Sequence, residues 1–180
     1  MTHTYSDNRN IYLVDLMFLF VNSKQSPTSI KIQIHKLKHL LEQKCWGNPV
    51  TGNLYSPNDV ITKKINDKKR EKELLRISKA DLRYPIFLHK TKNKTKNNYW
   101  IVDGMHRLAK AHLNNKKTIN AYVFDDILMD KFVISKRSEG WSKIDALKSS
   151  QIIKIFNERF TKDDKEEKKN LNKTIGIFYK

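Results

Sequence analysis

One short stretch of the chain places several reactive types of side chain next to each other. The sequence Asp-Gly-Met-His-Arg, residues 103–107, follows an apolar run and precedes a segment with helical spacing. A glycine at a strand-to-helix turn lets the backbone come close to a phosphate and adopt a positive φ. The first N–H groups of a helix lack internal partners, and the helix dipole favours an anion there. The stretch therefore indicates a phosphate site.

The charged side chains of this stretch support the same interpretation. Positive charge beside a helix N-terminus is unfavourable unless an anion is present. Arg107 offers a planar fork for phosphate oxygens, and His106 a donor or proton carrier near neutral pH. We expect Gly104, Met105, His106 and Arg107 to hold the phosphate. A solvated helix start with Arg107 paired to Asp103 explains the same residues equally well, because Asp-Gly is also a common turn.

Composition limits the class of protein. With 180 residues and a mass of 21.3 kDa, the chain has the size of one ordinary domain with short appendages. Its 36 Lys and Arg against 19 Asp and Glu give a formal charge of +17, which attracts nucleotides and nucleic acid. Most of that charge comes from Lys, which favours loose attraction over base recognition, and a biased genome composition explains it equally well.

Other classes are excluded by single features. The lone Cys45 excludes an intramolecular disulfide framework and a zinc site built from cysteines. The apolar run Ile11–Val21 is too short for a membrane span and carries Asp15, so we interpret it as a buried strand, with a helical turn as an open alternative within it. We expect a cytoplasmic protein without a membrane partner, nuclear or virion-associated if it binds DNA. A homodimer is compatible with the sequence.

The patterning around the Asp-Gly turn predicts a mixed α/β (α+β) domain. Alternation over Ser29–Leu37 predicts a half-buried strand, and the next strands form a hairpin that leads into a strand–helix–strand unit. Strands are predicted at 29–37, 85–90, 99–103, 118–124 and 175–179, helices at 35–46, 64–81, 104–115, 125–135 and after Ser142, and exposed loops at 90–98 and 161–173.

The helix that follows the turn has one apolar face. At helical spacing, Met105, Leu108, Ala109, His112 and Leu113 lie within one arc, which we expect to face the sheet. His112 is accordingly interpreted as a packed histidine rather than a reactive one.

The block IVDGMHRLAKAHLNNKKTINAYVF resembles the signature of the ParB/sulfiredoxin-like fold, with a matched region over Tyr84–Phe124 and a weaker match over Tyr55–Ile61. The resemblance implies a small mixed sheet, C-terminal helices and a turn that binds a nucleotide. It places a nucleotide-binding domain at residues 1–137 and a C-terminal helix with a basic tail at 138–180. The fold hosts several activities, so the branch has to be argued from individual residues.

The branches of this family differ at the turn. Sulfiredoxins carry a cysteine where this chain has Met105, which makes that activity implausible. Partition-type ParB proteins bind CTP and usually have Arg-Arg where this chain has His106 and Arg107. The free-serine kinases, with Asp-Gly-His-His-Arg, are the most similar. They have an acidic general base after a proline, a place that Asp59 occupies here, although a helix cap explains Asp59 equally well.

The resemblance implies Mg²⁺-dependent phosphoryl transfer or nucleoside triphosphate hydrolysis with ATP, ADP or CTP. Asp59, Asp103 and His106 are the candidate catalytic groups, and Asp103 would orient the acceptor hydroxyl or hold Mg²⁺ with the phosphates. Two alternatives stay open. The chain is a ParB-like DNA-binding or nuclease protein, or it is a catalytically inactive scaffold.

Overall fold

The computed structural model describes residues 3–48, 51–92, 98–141, 144 and 147–161. It has the predicted mixed α+β character, with small sheets and several helices. The chain divides into two compact units, a central unit (Ser29–Phe124) and a terminal unit (Met1–Thr28 with Asp125–Lys180). The predicted boundary at residue 137 lies within the terminal unit.

Strands and helices alternate irregularly along the described chain. The strands are β1 (Thr4–Ser6), β2 (Asn10–Leu13), β3 (Ile30–Gln33), β4 (Trp46–Asn48), β5 (Asn53–Tyr55), β6 (Ile86–Lys90), β7 (Tyr99–Asp103), β8 (Thr118–Asp125) and β9 (Val133–Lys136). The helices are α1 (Val14–Val21), α2 (Pro57–Ile61), α3 (Asp67–Lys79), α4 (Met105–Leu113), α5 (Asp126–Asp130) and α6 (Ser149–Phe160), with 3₁₀ helices at Ile34–Glu42 and Arg137–Glu139.

The central unit is built on a four-stranded sheet in the order β3-β8-β6-β7. The predicted hairpin is confirmed, since β6 and β7 pair antiparallel, and β3 pairs antiparallel with β8. Helix α4 connects β7 to β8, and β6 lies between these two strands in the sheet. Strands β4 and β5 form a separate antiparallel hairpin, in a part of the chain between the predicted helices at 35–46 and 64–81.

Helix α4 packs most of its predicted face into the core. Leu108 and Ala109 are fully buried, and Met105 is nearly so. The prediction was wrong for Leu113, which is 42% exposed because the helix ends there, whereas Ala111 is buried instead. Since α4 contacts α3, α2, β6 and the 3₁₀ helix Ile34–Glu42, it is covered on more than one side.

The terminal unit corrects two predictions. The apolar run Ile11–Val21 is strand only to Leu13 and then becomes α1, because an apolar run without alternation fits a buried helix as well as a strand. Asp15 lies in the first turn of α1, where its carboxylate accepts the backbone N–H of His3. The helix expected to reach residue 135 ends at Asp130, and the residues beyond it form β9, which pairs with β2.

The terminal unit contains a three-stranded sheet and a cluster of aromatic side chains. The sheet has the order β1-β2-β9, and four phenylalanines form a cluster with ring centroids 4.9–5.5 Å apart: Phe20, Phe132, Phe156 and Phe160. Within the region where a helix is predicted after Ser142, Ile152 and Phe156 are buried on α6. Ser142 itself, most of the 90–98 loop and the elements predicted after residue 161 lie outside the described residues. None of the described helices is long and apolar enough to cross a membrane.

Candidate functional site

The turn between β7 and α4 has the backbone that the sequence predicts. Gly104 is the N-cap of α4, with φ +96° and ψ 23°, in the left-handed region that favours glycine. A Cβ at this position would lie 2.6 Å from Ile86 Cγ2 and 2.8 Å from Arg107 Nη2. The N-cap supplies no side-chain hydrogen bond, so the first N–H groups of α4 are left uncapped by side chains. The turn therefore has the geometry of a helix N-terminal anion site.

A cleft of about 560 Å³ opens at this turn, within the central unit. Its lining includes four side chains that carry or can carry positive charge: Arg76, Lys79, His106 and Arg107. Asp103 is the one carboxylate among the described residues that line it. The volume lies in the range of small-molecule sites, and the charge of the lining matches an anion.

The side chains of Arg107 and Asp103, four residues apart in the chain, form an ion pair. Arg107 Nη2 donates to Asp103 Oδ2 at 2.5 Å, and the two side chains are 21% and 35% exposed. Arg107 Nε is buried without a hydrogen-bond partner among the described residues. The pairing predicted for a solvated helix start is therefore present, but it forms in the wall of the cleft. There the carboxylate orients the guanidinium instead of removing it from the site.

His106 is held by a buried carboxylate. Its Nε2 lies 2.9 Å from Oε2 of Glu73, whose side chain is 4% exposed. Glu73 Oε1 also accepts the Tyr55 hydroxyl at 3.3 Å and Arg76 Nη1 at 3.4 Å. The imidazole stacks on Trp46, with centroids 4.5 Å apart and planes at 17°. Since Nε2 contacts Glu73, Nδ1 is the ring nitrogen that can contact a ligand.

Two further contacts shape the cleft. Lys110 Nζ donates to the carbonyls of Ser78 and Ala80, both at 2.7 Å, and so fastens the end of α3 to α4. This contact brings Arg76 and Lys79, on the last turns of α3, to the side of the cleft. Cationic groups are also favourable near a helix C-terminus, which is where these two residues lie.

Cys45 is exposed and lines the same cleft. Partial desolvation raises the pKa of its thiol to about 11, with a smaller contribution from the charge of Glu73. A raised pKa favours the thiol over the thiolate, which is the more reactive form.

The structure places Asp59 in a capping box, not among the residues that line the cleft. Its carboxylate accepts the Ser56 backbone N–H at 2.8 Å and the Ser56 hydroxyl at 2.9 Å, while its own N–H donates to that hydroxyl at 3.1 Å. These hydrogen bonds from Ser56 lower the pKa of Asp59. The contacts are those of the alternative interpretation, a helix cap.

Sequence reasoning missed four residues of the site: Trp46, Glu73, Arg76 and Lys79. Glu73 had a readable signal, because it lies four residues before Ile77 and seven before Ala80, on the buried side of an amphipathic helix. An acidic residue on such a face needs a partner. The other three had no signal, since they reach the cleft only through the docking of α3 and of the β4–β5 hairpin.

Across the described parts of the chain, no group of three or more His, Cys, Asp or Glu could hold a metal ion. A metal at the cleft would find Asp103, which is already paired with Arg107.

The chain was compared with family models, curated proteins and solved structures, and nothing matched, so the resemblance to the ParB/sulfiredoxin-like fold stays a prediction.

Proposed function

We propose that the central unit binds a nucleotide in this cleft, with the phosphates against residues 104–107, and that it transfers or hydrolyses the terminal phosphoryl group. One observation carries the proposal. A left-handed glycine, an uncapped helix N-terminus and four side chains capable of positive charge share one cleft of about 560 Å³. This combination is suited to phosphate oxygens.

Each group has a separate role in binding. Gly104 supplies the left-handed turn into α4 and the close packing of Ile86 and Arg107 against the backbone, both of which a Cβ would disturb. Arg107 presents the fork that Asp103 orients. Arg76 and Lys79 add positive charge from the opposite helix. A nucleotide bound in this way is held mainly by its phosphates, so the base is the less constrained part.

The proposed chemistry is an in-line displacement. The oxygen of an acceptor hydroxyl or of water forms a bond to the terminal phosphorus, the bond to the bridging oxygen breaks, and the nucleoside diphosphate leaves. The proton of the attacking oxygen passes to Nδ1 of His106, while Glu73 stabilises the resulting imidazolium at Nε2. Arg107 offsets the charge on the phosphoryl oxygens. Of the three candidate catalytic groups, Asp59 has no part in this scheme.

Mg²⁺ would arrive with the phosphates. Asp103 is engaged with Arg107, so the described residues that line the cleft offer at most one carboxylate to the metal. When bound, the ion would neutralise phosphate charge, and every step above is assigned to side chains of the protein.

The test is a thermal-shift screen of ATP, ADP, CTP and GTP, each with and without Mg²⁺, on the wild type and Arg107→Ala. Ligand at a hundredfold excess over Kd adds about 2.7 kcal/mol to the stability of the native state, a clear shift for a domain of this size. We expect a shift with at least one nucleotide that disappears in the variant.

Arg83→Ala is the matched control. Arg83 also pairs with an aspartate, Asp81, but its side chain is 87% exposed and does not line the cleft. The control therefore loses the same charge and should keep the nucleotide shift. If no nucleotide shifts the wild type, or if a folded Arg107→Ala keeps the full shift, the proposal is wrong. A folded protein that is indifferent to every nucleotide and also to DNA would favour the inactive scaffold.

A further inference from the structure

A second cleft of about 510 Å³ lies at the other end of α4, also within the central unit. Five of its lining side chains are basic or can be: His35, Lys38, His112, Lys116 and Lys117. None of the described residues that line it is Asp or Glu. Lys38, Lys116 and Lys117 are exposed, so their charges are available to a ligand.

Backbone contacts explain why these residues meet. After α4 the chain reverses at Asn115, which has φ +52°. The Lys116 N–H then donates to the Ala111 carbonyl at 2.9 Å, and Lys117 accepts the Ile34 N–H at 3.0 Å through its carbonyl. The lysines are thereby held opposite the start of the 3₁₀ helix that carries His35 and Lys38. The cleft is thus a feature of ordered backbone.

The end of α4 needs little of this charge. A helix C-terminus carries about half a negative elementary charge, which a single cation offsets. Its last carbonyls are already used, since those of Lys110, Ala111 and His112 accept backbone N–H groups. Three lysines therefore leave a positive excess, which costs free energy by mutual repulsion until an anion binds.

Helix α3 carries many lysines, but its sequence DKKREKELLRISK interleaves them with three carboxylates. Its exposed Lys68 and Lys72 lie next to acidic neighbours in the chain, Asp67 for the first and Glu71 and Glu73 for the second. The second cleft differs in concentrating positive charge without carboxylates.

We propose that this second cleft binds the phosphodiester backbone of nucleic acid without sequence specificity. Lysine is a point charge that contacts phosphate, whereas base recognition relies on arginine forks or amides, and no arginine is among the described lining residues. Those residues also include no Trp, Tyr or Phe on which a base could stack. The site is separate from residues 104–107 and does not depend on nucleotide binding there.

The test is the salt dependence of binding to a fluorescently labelled 20-base-pair DNA duplex, with a single-stranded DNA and an RNA of the same length as further probes. The triple variant Lys38→Gln, Lys116→Gln, Lys117→Gln removes the cleft charges. Each neutralised phosphate adds about 0.9 to the slope of log K against log salt on duplex DNA, so three lost contacts reduce it by about 2.7. On a single strand the corresponding reduction is about 2.1.

The matched control is Lys64→Gln, Lys68→Gln, Lys72→Gln, which removes the same three charges from exposed positions outside the lining. We expect the control to keep most of the slope and both variants to melt like the wild type. Equal losses in the two variants would show diffuse attraction only and would overturn the proposal, as would absence of binding to all three probes at 50 mM salt. The nucleotide thermal shift should be unchanged in the cleft variant, so the two proposals fail separately.

Discussion

The two ends of α4 gather positive charge in different ways. At the N-terminal end, Arg107 Nη2 lies 2.5 Å from Asp103 Oδ2, and His106 Nε2 lies 2.9 Å from Glu73 Oε2. At the C-terminal end, no described residue that lines the cleft is acidic. A cationic side chain that is hydrogen-bonded to a carboxylate is held in one orientation. A lysine without such a partner acts mainly through long-range electrostatic attraction. The first arrangement suits one ligand in one orientation, and the second suits a polymer that can slide.

The two ends of α4 should also differ in what they contribute to the stability of the fold. The ion-paired side chains at the N-terminal end are held by closely packed neighbours, so substitutions there should destabilise the fold. The lysines at the C-terminal end are exposed, so their loss should leave the stability unchanged.

The largest effect is expected for Gly104→Ala. A left-handed backbone costs a residue with a Cβ about 1–2 kcal/mol, and overpacking against buried Ile86 adds about 1–3 kcal/mol. We expect a loss of about 3 kcal/mol in the free energy of unfolding, measured by urea titration. Gly52→Ala is the control, because Gly52 has φ +69° and no atom lies within 4 Å of the place where its Cβ would be. Equal losses would mean that the close approach is unimportant.

Glu73→Gln should come next. The substitution keeps the size of the side chain but removes a charged acceptor from His106 and Arg76, and hydrogen bonds to charged groups contribute about 1.5–3 kcal/mol. We expect a loss of about 2 kcal/mol in urea. Glu71→Gln, at an exposed position of the same helix, should change stability by less than about 0.5 kcal/mol. If both substitutions had the same small effect, Glu73 would not be what holds His106.

A smaller effect is expected for Asp59→Ala, which removes a capping box and should cost about 1 kcal/mol at pH 7. Because hydrogen bonds lower the pKa of Asp59 in the folded state, its contribution is complete above the unfolded pKa of about 3.9. That contribution is lost as the pH falls through the lower, folded pKa. Urea titrations of wild type and variant should therefore converge in acid.

The Asp59→Ala variant also distinguishes the two roles considered for Asp59, a helix cap and a catalytic general base. If Asp59 only caps α2, nucleotide turnover by folded Asp59→Ala should equal that of the wild type, whereas Asp103→Asn should be impaired. A collapse of turnover with unchanged nucleotide binding in Asp59→Ala would make Asp59 a catalytic group.

The smallest effect is expected for Lys116→Gln with Lys117→Gln. Lost attraction to the helix end and relieved repulsion between lysines oppose each other, so stability should change by less than about 0.5 kcal/mol. Thermal melts at low salt are the measurement. A loss of about 2 kcal/mol, well beyond the range of ordinary surface substitutions, would show that these lysines hold the fold together. The contrast between the two ends of α4 would then disappear.

Local elements were predictable to the extent that their signals are local. The β6–β7 hairpin, the helix after the Asp-Gly turn and the strand at Thr118–Asp125 all follow from periodicity and turn residues. The errors occurred where a local pattern fits two structures. The run Ile11–Val21 is apolar throughout most of its length, and its change from β2 to α1 depends on what covers it.

The sequence by itself determined the Asp-Gly turn, because a positive φ at Gly104 and an uncapped helix start follow from residues adjacent in the chain. Only the tertiary structure decided which partners surround that turn. Glu73 and His106 are 33 residues apart, and Asp59, although well placed in the sequence pattern, caps its own helix. Side chains distant in the chain meet through the docking of helices, which depends on the whole core and has no local signal.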